Sequence, residues 1–541
     1  MNHRVDAVLR RGKTSLRDLK RLARRGHPAV ITGRVRRERV RRFDHLFTRG
    51  PQARRHAMRD RLATLLAALG APPPLYPANP SASIEKALHD AGPEEVWLTL
   101  AIISGRLPDT AAVMRTVRSL RLDGPVPALF ASLKASGTLD RPPWPEVEVA
   151  GDCVVVDVSH TSRVPIATGI QRVVRETIQR WDRDHEPSFV GWTYGFRALR
   201  RLSATERERA LNGFRDSAAP LQPRFDDRPV LVPWNCTFLV PELPAEPDRT
   251  PRLQALATFS RSRTGLIGFD CVPITNAETV ADGMSGAFAR YLAAAAHADR
   301  ITTISYASQA EYLGWKAMLS GSGRPGPDIR AIPLPVEAQK PSEAALQEAR
   351  DLLSVGPLPV VLAVGSHEPR KNHLAVLHAA EALWEDGLLF TLTFVGGNAW
   401  NSDQFQARIE HLQGLNRPVQ TILALTDDLL WAAYRLAYVT VFPSLHEGFG
   451  LPVAESLASG TPVITADFGS MKEIAGAGGA LLVDPRDDRA IETALRSLLE
   501  NRELRERLAR EAENLPQRTW DQYATETWRY LVEEALAKEA L

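Results

Sequence analysis

Between two apolar runs, residues 442–464 read FPSLHEGFGLPVAESLASGTPVI, which places Glu447 and Glu455 on either side of the turn Gly448-Phe449-Gly450-Leu451-Pro452. The run 439–444 suits a buried strand. Pro452 suits the first turn of a helix that Gly460 and Pro462 would end. Glycines let a backbone approach a ligand closely, and a helix start offers unpaired N–H groups with a partial positive charge. Such a turn is a seat for a diphosphate beyond the carboxyl end of a strand. Glu455, early in the helix, is placed to accept hydrogen bonds from ribose hydroxyls, and Glu447, before the turn, to meet a sugar. The plainer reading is an acid that complements a helix dipole next to an ordinary loop glutamate.

A second stretch decides between these readings. VGSHEPRKNH (364–373) carries Arg370 and Lys371 in the loop after a strand, next to Asn372, which is expected to cap the following helix. Two cations at a loop-to-helix junction suit a diphosphate leaving group, whose negative charge grows as a glycosidic bond breaks. A solvated surface pair is the alternative.

These loops need a scaffold of strands and helices. CVVVDVS (153–159), PVLVPW (229–234), TGLIGFDCVPI (264–274) and RITTIS (300–305) read as strand-and-loop units with helical stretches between them. After the Pro-rich GRPGPDIRAIPLPV (323–336) the alternation restarts with PVVLAVGS, FTLTFVGG, QTILAL, VTVFPS and TPVITAD. Alternating strands and helices predict parallel sheets covered on both faces, in two successive α/β domains. AIETALRSLLENRELRERLAREAENL predicts one or two helices, and the chain closes on an amphipathic one.

The first 150 residues differ in character. Residues 1–60 hold 19 Lys and Arg against 5 Asp and Glu, a net of +14, which leaves 48 against 59, or −11, for the rest. Leu62, Leu65, Leu66 and Leu69 share one face of a helix expected over 57–69. GAPPPLYPANPS (70–81) reads as a linker and DRPPWPEVEV (140–149) as a break. Residues 83–135 alternate apolar runs and polar helices without naming a fold.

At 541 residues, with 44% apolar and 24% charged residues, the chain has the size and composition of two or three globular domains. The longest apolar run, Val96 to Ile103, is about half of the roughly 18 residues that a membrane span needs. The charged N-terminus has no apolar leader core, so no secretion is expected. Cys153, Cys236 and Cys271 are too scattered for a zinc knuckle or a disulfide scaffold. HEGFG lacks the second histidine of HExxH, and His367 and His373 are read as loop or surface residues.

Taken together, VGSHEPRKN, FVGG, DDLLWAAYRLAYVTVFPSLHEGFGLPVAESLASGTPVI and VDPRD resemble the nucleotide-binding half of the retaining glycosyltransferases of family 4. Glu447 and Glu455 match that family's paired-glutamate motif. The resemblance is close over 360–490 and looser over 153–335. There GIQRVVRE, GFDCVPIT and DRITTISYASQAEYL are similar to the acceptor-side pattern of bacterial surface-polysaccharide mannosyltransferase-like members. Residues 1–150 lie outside it.

The resemblance implies the GT-B fold, an α/β architecture of two Rossmann-like domains facing a cleft, here with an N-terminal, mostly helical extension. The division it suggests is a basic extension over 1–150, an acceptor-side domain over 151–338, a nucleotide-sugar domain over 339–515 and a helix over 516–541 that returns to the first domain. It implies that Lys371 and Arg370 bind the donor diphosphate, with the turn Gly448, Phe449, Gly450 and Leu451 against it or the sugar. Glu455 would hold the ribose and Glu447 the transferred sugar. Gly396, Gly397 and Leu425 would border the base, with Ser366 beside the phosphates and Asp428 supporting the pocket. Thr168, Gly169 and Ile170 would face the cleft, with Arg172 on the helix behind. Two positions depart from the family: Ser366 stands where many members have Arg, and Phe269 where many have His, leaving Asp270 as the candidate there.

The implied reaction is transfer of a sugar, with retention, from a nucleotide sugar to a growing or lipid-linked surface glycan such as an O-antigen or exopolysaccharide. Mannose from GDP-mannose is the best match. No cofactor beyond the donor and no obligatory metal is implied. The expected place is the cytoplasm, with a peripheral position at the inner face of the membrane if residues 1–60 bind anionic lipid; a solvated or oligomer-contacting arm is the alternative. Nucleic acid is not expected, since the basic segment has few interleaved aromatics. A non-catalytic scaffold on the same fold and a nucleotide-sugar epimerase are the competing readings.

Overall fold

The computed structural model describes residues 28–71, 79–137, 144–165, 168–214, 228–353, 358–516 and 518–537. Residues 1–27 of the basic N-terminal arm and most of the Pro-rich linker fall outside them.

The first sheet has nine strands: β1 (Val147–Ala150), β2 (Val154–Asp157), β3 (Ser188–Trp192), β4 (Leu199–Arg201), β5 (Val230–Pro233), β6 (Thr237–Val240), β7 (Arg263–Gly268), β8 (Arg300–Thr303) and β9 (Asp328–Ala331). Their order is β1-β5-β4-β3-β2-β6-β7-β8-β9. The sheet is not wholly parallel: β4 runs antiparallel to both β3 and β5. The short connection through Tyr194–Phe196, with Gly195 at φ 69°, turns the chain back on itself instead of crossing over. β1 also lies inside the segment that the sequence left with the extension. Its VEVA pattern was masked by the prolines just before it.

The second sheet holds β10 (Val360–Val364), β11 (Thr391–Val395), β12 (Val419–Ile422), β13 (Val439–Phe442), β14 (Val463–Ala466) and β15 (Ala480–Val483). All its pairings are parallel, in the order β12-β11-β10-β13-β14-β15. This is the doubly wound order whose switch point opens a crevice beyond the carboxyl ends of the strands. β10 and β13 are neighbours, with Val361 opposite Val439, so the loops after them meet. Those loops carry the two motifs.

The N-terminal helices are an integral layer. Helices Pro28–Thr48, Gln52–Ala68, Pro93–Ser104 and Pro125–Ala135 pack into one core with the β1–β5 side of the first sheet. Trp97 stacks on Trp234 at 6.5 Å, and the Arg252 side chain donates to the Leu107 carbonyl at 3.2 Å. Leu62, Leu65 and Leu66 are buried and Leu69 packs against them, as their spacing predicts. Arg36, Arg37, Arg41 and Arg42 remain exposed on Pro28–Thr48, while Phe43, Leu46 and Phe47 of the same helix are buried.

At the other end of the chain the predicted pair of helices is Asp488–Glu500 and Arg502–Glu513, separated where the Asn501 side chain caps the second. Helix Trp520–Trp528 then lies on helix Gly169–His185 of the first domain. The Trp181 indole donates to the Ala524 carbonyl at 3.1 Å. The architecture is GT-B, with two Rossmann-like units and an added helical layer.

Candidate active site

Glu447 sits in the loop after β13, at the centre of the meeting point. The Lys371 ammonium donates to its Oε1 at 2.6 Å, Arg370 Nη1 lies 2.8 Å from the same oxygen, and the Ser444 hydroxyl donates to it at 2.7 Å. Arg370 also donates to the His446 carbonyl at 2.6 Å and pairs with Glu368 at 2.5 Å. Burial pushes the Glu447 carboxyl up, but Arg370 and Lys371 outweigh it and hold the group down at about 2. Burial pulls the Lys371 ammonium below its ordinary range, opposed by Glu447. The two cations are therefore not a solvated pair: their side chains are only 15% and 11% exposed.

The turn after Glu447 is shaped by contacts from both domains. The Gly448 carbonyl accepts from the Ser305 hydroxyl at 2.6 Å and the Ser308 hydroxyl at 2.9 Å, both from the first domain. A Cβ at Gly448 would lie 2.9 Å from Asp270 Oδ2, so the absence of a side chain permits this approach. Gly450 adopts φ 101° to start helix Leu451–Ala458, with Pro452 in its first turn. Phe449 packs among first-domain residues that include Phe269 and Val173. Leu451 lies across from Gly169, whose Cβ would sit 3.4 Å from Leu451 Cδ1.

Glu455, on helix Leu451–Ala458, is buried and has partners in both domains. Arg172 pairs with its Oε1 at 2.5 Å from the first domain, and the Tyr434 hydroxyl donates to its Oε2 at 2.9 Å. Burial raises the Glu455 carboxyl, with Arg172 and Tyr434 opposing. Arg172 thus differs from the sequence reading, which left it behind an acceptor-side loop. It stands in the first turn of helix Gly169–His185, capped by Thr168 and Gln171, and points across the cleft. Ile170 and Leu451 both pack against the buried cluster that holds Phe269 and Phe449.

Asp270 follows β7, accepts from the Val272 N–H at 3.1 Å, and is half-buried beside Gly448. Burial pushes its carboxyl up and Arg370 works against that. Close by, His446 of the second domain pairs with Glu311 of the first at 2.5 Å. Burial lowers the His446 imidazole, but Glu311 outweighs it and the group ends above its ordinary value.

The remaining predicted residues are dispersed around this centre. Gly396 and Gly397 follow β11, where a Cβ at Gly396 would overlap the Gly365 carbonyl oxygen, so the chain can pass there only without one. The Gly397 carbonyl accepts from the His367 N–H at 2.9 Å. Ser366 shapes the turn after β10, its carbonyl accepting from the Glu368 N–H at 2.8 Å. Leu425 packs against a cluster containing Val364, Val395 and Tyr434, which makes it part of a wall.

Three expectations change. Asp428 faces away from the pocket and holds Ser342, the cap of helix Glu343–Leu352, at 2.6 Å. Asn372 occupies the cap position at φ 58°, but its amide donates to the Pro485 carbonyl at 2.7 Å instead of capping. His367 and His373 are not surface residues. Both are buried against Phe394 and Phe405, and burial drives the His373 imidazole down to about 3.

Sequence reasoning missed Tyr434, Glu368, Ser305, Ser308 and the His446–Glu311 pair. His446 was visible next to Glu447. Glu368 was visible two positions before Arg370, whereas Tyr434, Ser305 and Ser308 have partners too distant along the chain to be matched by spacing. One cavity, of about 700 Å³, lies at the β1 edge beside Thr64, Glu148 and Trp234, away from these groups. An apolar one of about 200 Å³ lies against Phe449 and Leu457.

Residues 347–515 match the family described as Glycosyl transferases group 1. The chain is 29% identical over 333 residues to the serotype-specific mannosyltransferase WbdA of Escherichia coli, across 60% of this chain and 40% of that protein. It is 31% identical over 169 residues to the O-antigen chain mannosyltransferase B of Escherichia coli, across 31% of this chain and 44% of that protein. The chain thus spans about two fifths of the length of these relatives. Anabaena HepE, solved in complex with UDP and glucose, superposes with a TM-score of 0.50 at 13% identity, over 71% of this chain and 99% of that one, which shows the shared fold. Residues 347–515 are thus similar to the glycosyl transferases group 1, in a chain whose similarity extends to bacterial O-antigen mannosyltransferases.

Proposed function

We propose that this protein is a retaining glycosyltransferase that moves a sugar from a nucleotide sugar to a growing or lipid-linked surface glycan, with GDP-mannose as the first donor to test. The observation that carries this reading is the convergence of Lys371, Arg370 and ionised Glu447 at the switch point of the second sheet, opposite Asp270 of the first domain. Buried cations at the carboxyl ends of β10 and β13 suit a diphosphate that gains charge as it departs. Glu447, anchored by three donors, is fixed well enough to orient sugar hydroxyls. In this reading the departing phosphate takes the acceptor's proton on the same face of the sugar, and no metal is required.

The test is thermal stabilisation by GDP, UDP and their sugars, followed by transfer assays. A ligand at about 100 times its dissociation constant is expected to add about 2.7 kcal/mol. Lys371→Ala is expected to weaken diphosphate binding about ten- to a hundredfold, the worth of a hydrogen bond to a charged group. Binding without turnover would favour the scaffold reading. Donor conversion without an acceptor would favour an epimerase.

A lipid-linked acceptor requires a membrane position. The exposed arginines of Pro28–Thr48 support one on an anionic surface at the cytoplasmic face. The protein is expected to sediment with phosphatidylglycerol vesicles at low salt and not with phosphatidylcholine alone. Equal recovery with both would remove this part of the proposal.

A further inference from the structure

The charges in the cleft leave little over for a diphosphate. Arg370 and Lys371 face Glu447 and Glu368, and Arg172 faces Glu455. A nucleoside diphosphate sugar adds two negative charges, so a cation must be released to meet them. Arg172 is the most accessible of the three, at 28% exposed against 15% for Arg370 and 11% for Lys371. Its partner carboxylate is also the one placed to receive the ribose. Glu455 is 5% exposed, so a ribose reaches it only by displacing the guanidinium. Tyr434 keeps its hold on the other carboxylate oxygen and fixes the orientation.

Resting on the nucleotide-sugar reading above, we infer that Arg172 is a donor-binding residue supplied by the first domain, which leaves Glu455 for the donor diphosphate when the ribose hydroxyls take its place. The surroundings favour the move. Arg172 lies in the first turn of helix Gly169–His185, and Gly169 faces Leu451 at the start of helix Leu451–Ala458. Two helix starts, each with unpaired N–H groups, therefore border the same gap as the guanidinium. Arginine suits the exchange, because its planar fork pairs with carboxylate and phosphate alike. The Arg172–Glu455 pair bridges the two domains, and a donor between them would take over that bridge.

The test is calorimetric titration of wild type, Arg172→Ala and Arg172→Lys with guanosine and GDP, and with uridine and UDP. In Arg172→Ala the diphosphate is expected to bind about tenfold more weakly or worse. The bare nucleoside, freed from competition for Glu455, is expected to bind as well as before or better. Arg172→Lys is expected to fall between. A thermal melt of each variant establishes folding, and if the alanine variant does not fold, Arg172→Lys alone carries the comparison. Equal weakening of nucleoside and diphosphate, or loss confined to the nucleoside, would make Arg172 a structural strut and overturn the inference. Nucleoside and diphosphate affinities that are both unchanged in Arg172→Ala would remove the Arg172 assignment and leave the nucleotide-sugar reading intact. Failure of wild type to bind any of the four overturns both.

Discussion

Glu447→Ala is expected to reduce sugar transfer about a hundredfold or more and to destabilise the fold by about 3–5 kcal/mol. Both effects have one cause. The substitution removes the carboxylate that neutralises Arg370 and Lys371, and neither cation can turn to water, since both side chains are largely buried. An unpaired buried charge costs more than the pair contributes, because the desolvation remains when the attraction is gone. Arg370 keeps Glu368 at 2.5 Å, while Lys371 keeps the aromatic face of Phe442, 5.0 Å away, and the more distant attraction of the same Glu368. Urea unfolding and initial transfer rates measure the two effects. A stability loss below about 1 kcal/mol would mean that water reaches the cations in solution, as at an exposed pair.

Acid is expected to remove the same contribution gradually. The Glu447 carboxyl lies at about 2 in the folded protein, against 4.5 when unperturbed. A carboxyl depressed by folding stabilises the protein fully above its unfolded value. It loses that contribution as the pH falls from about 4.5 towards 2, where the folded state takes up the proton too. The difference corresponds to about 3 kcal/mol at neutral pH. Glu455 and Asp270 act in the opposite sense, since burial raises their carboxyls and protonation relieves them. The measurement must therefore be a comparison. Wild type should exceed Glu447→Gln by about 3 kcal/mol near pH 6, and the gap should close by about pH 2. A gap independent of pH would show that Glu447 is not held ionised by its neighbours.

Nine strands were legible as short runs of β-branched and aliphatic residues, while β3 (Ser188–Trp192), β6 (Thr237–Val240), β9 (Asp328–Ala331) and β15 (Ala480–Val483) were not read as strands. β10, with its sequence VVLAV, and β13, with VTVF, are recognisable without any neighbour. β4 was not: Leu199–Arg201 is a three-residue strand that turns back between two parallel neighbours, and LRR carries no strand signature. The helical layer was half legible. The leucines of Gln52–Ala68 announce an apolar face, but nothing local says that the face lies against β1 and β5. His367 and His373 misled because histidine is most often exposed. Here the aromatic wall of Phe394 and Phe405, from elements 21 to 38 positions further on, makes the loop interior dry.

The sequence by itself determined which groups are available. The turn that needs Gly450, the proline that starts its helix, the paired glutamates and the two cations are properties of short stretches. Their backbone preferences and charges hold wherever the chain goes. Only the tertiary structure decided what each group faces. Arg172 meets Glu455 across 283 positions, Lys371 meets Glu447 across 76, and Ser305 reaches Gly448 across 143. The physical reason is that an ion pair or a buried hydrogen bond depends on separation in space and on the exclusion of water, and neither quantity is a property of spacing along the chain.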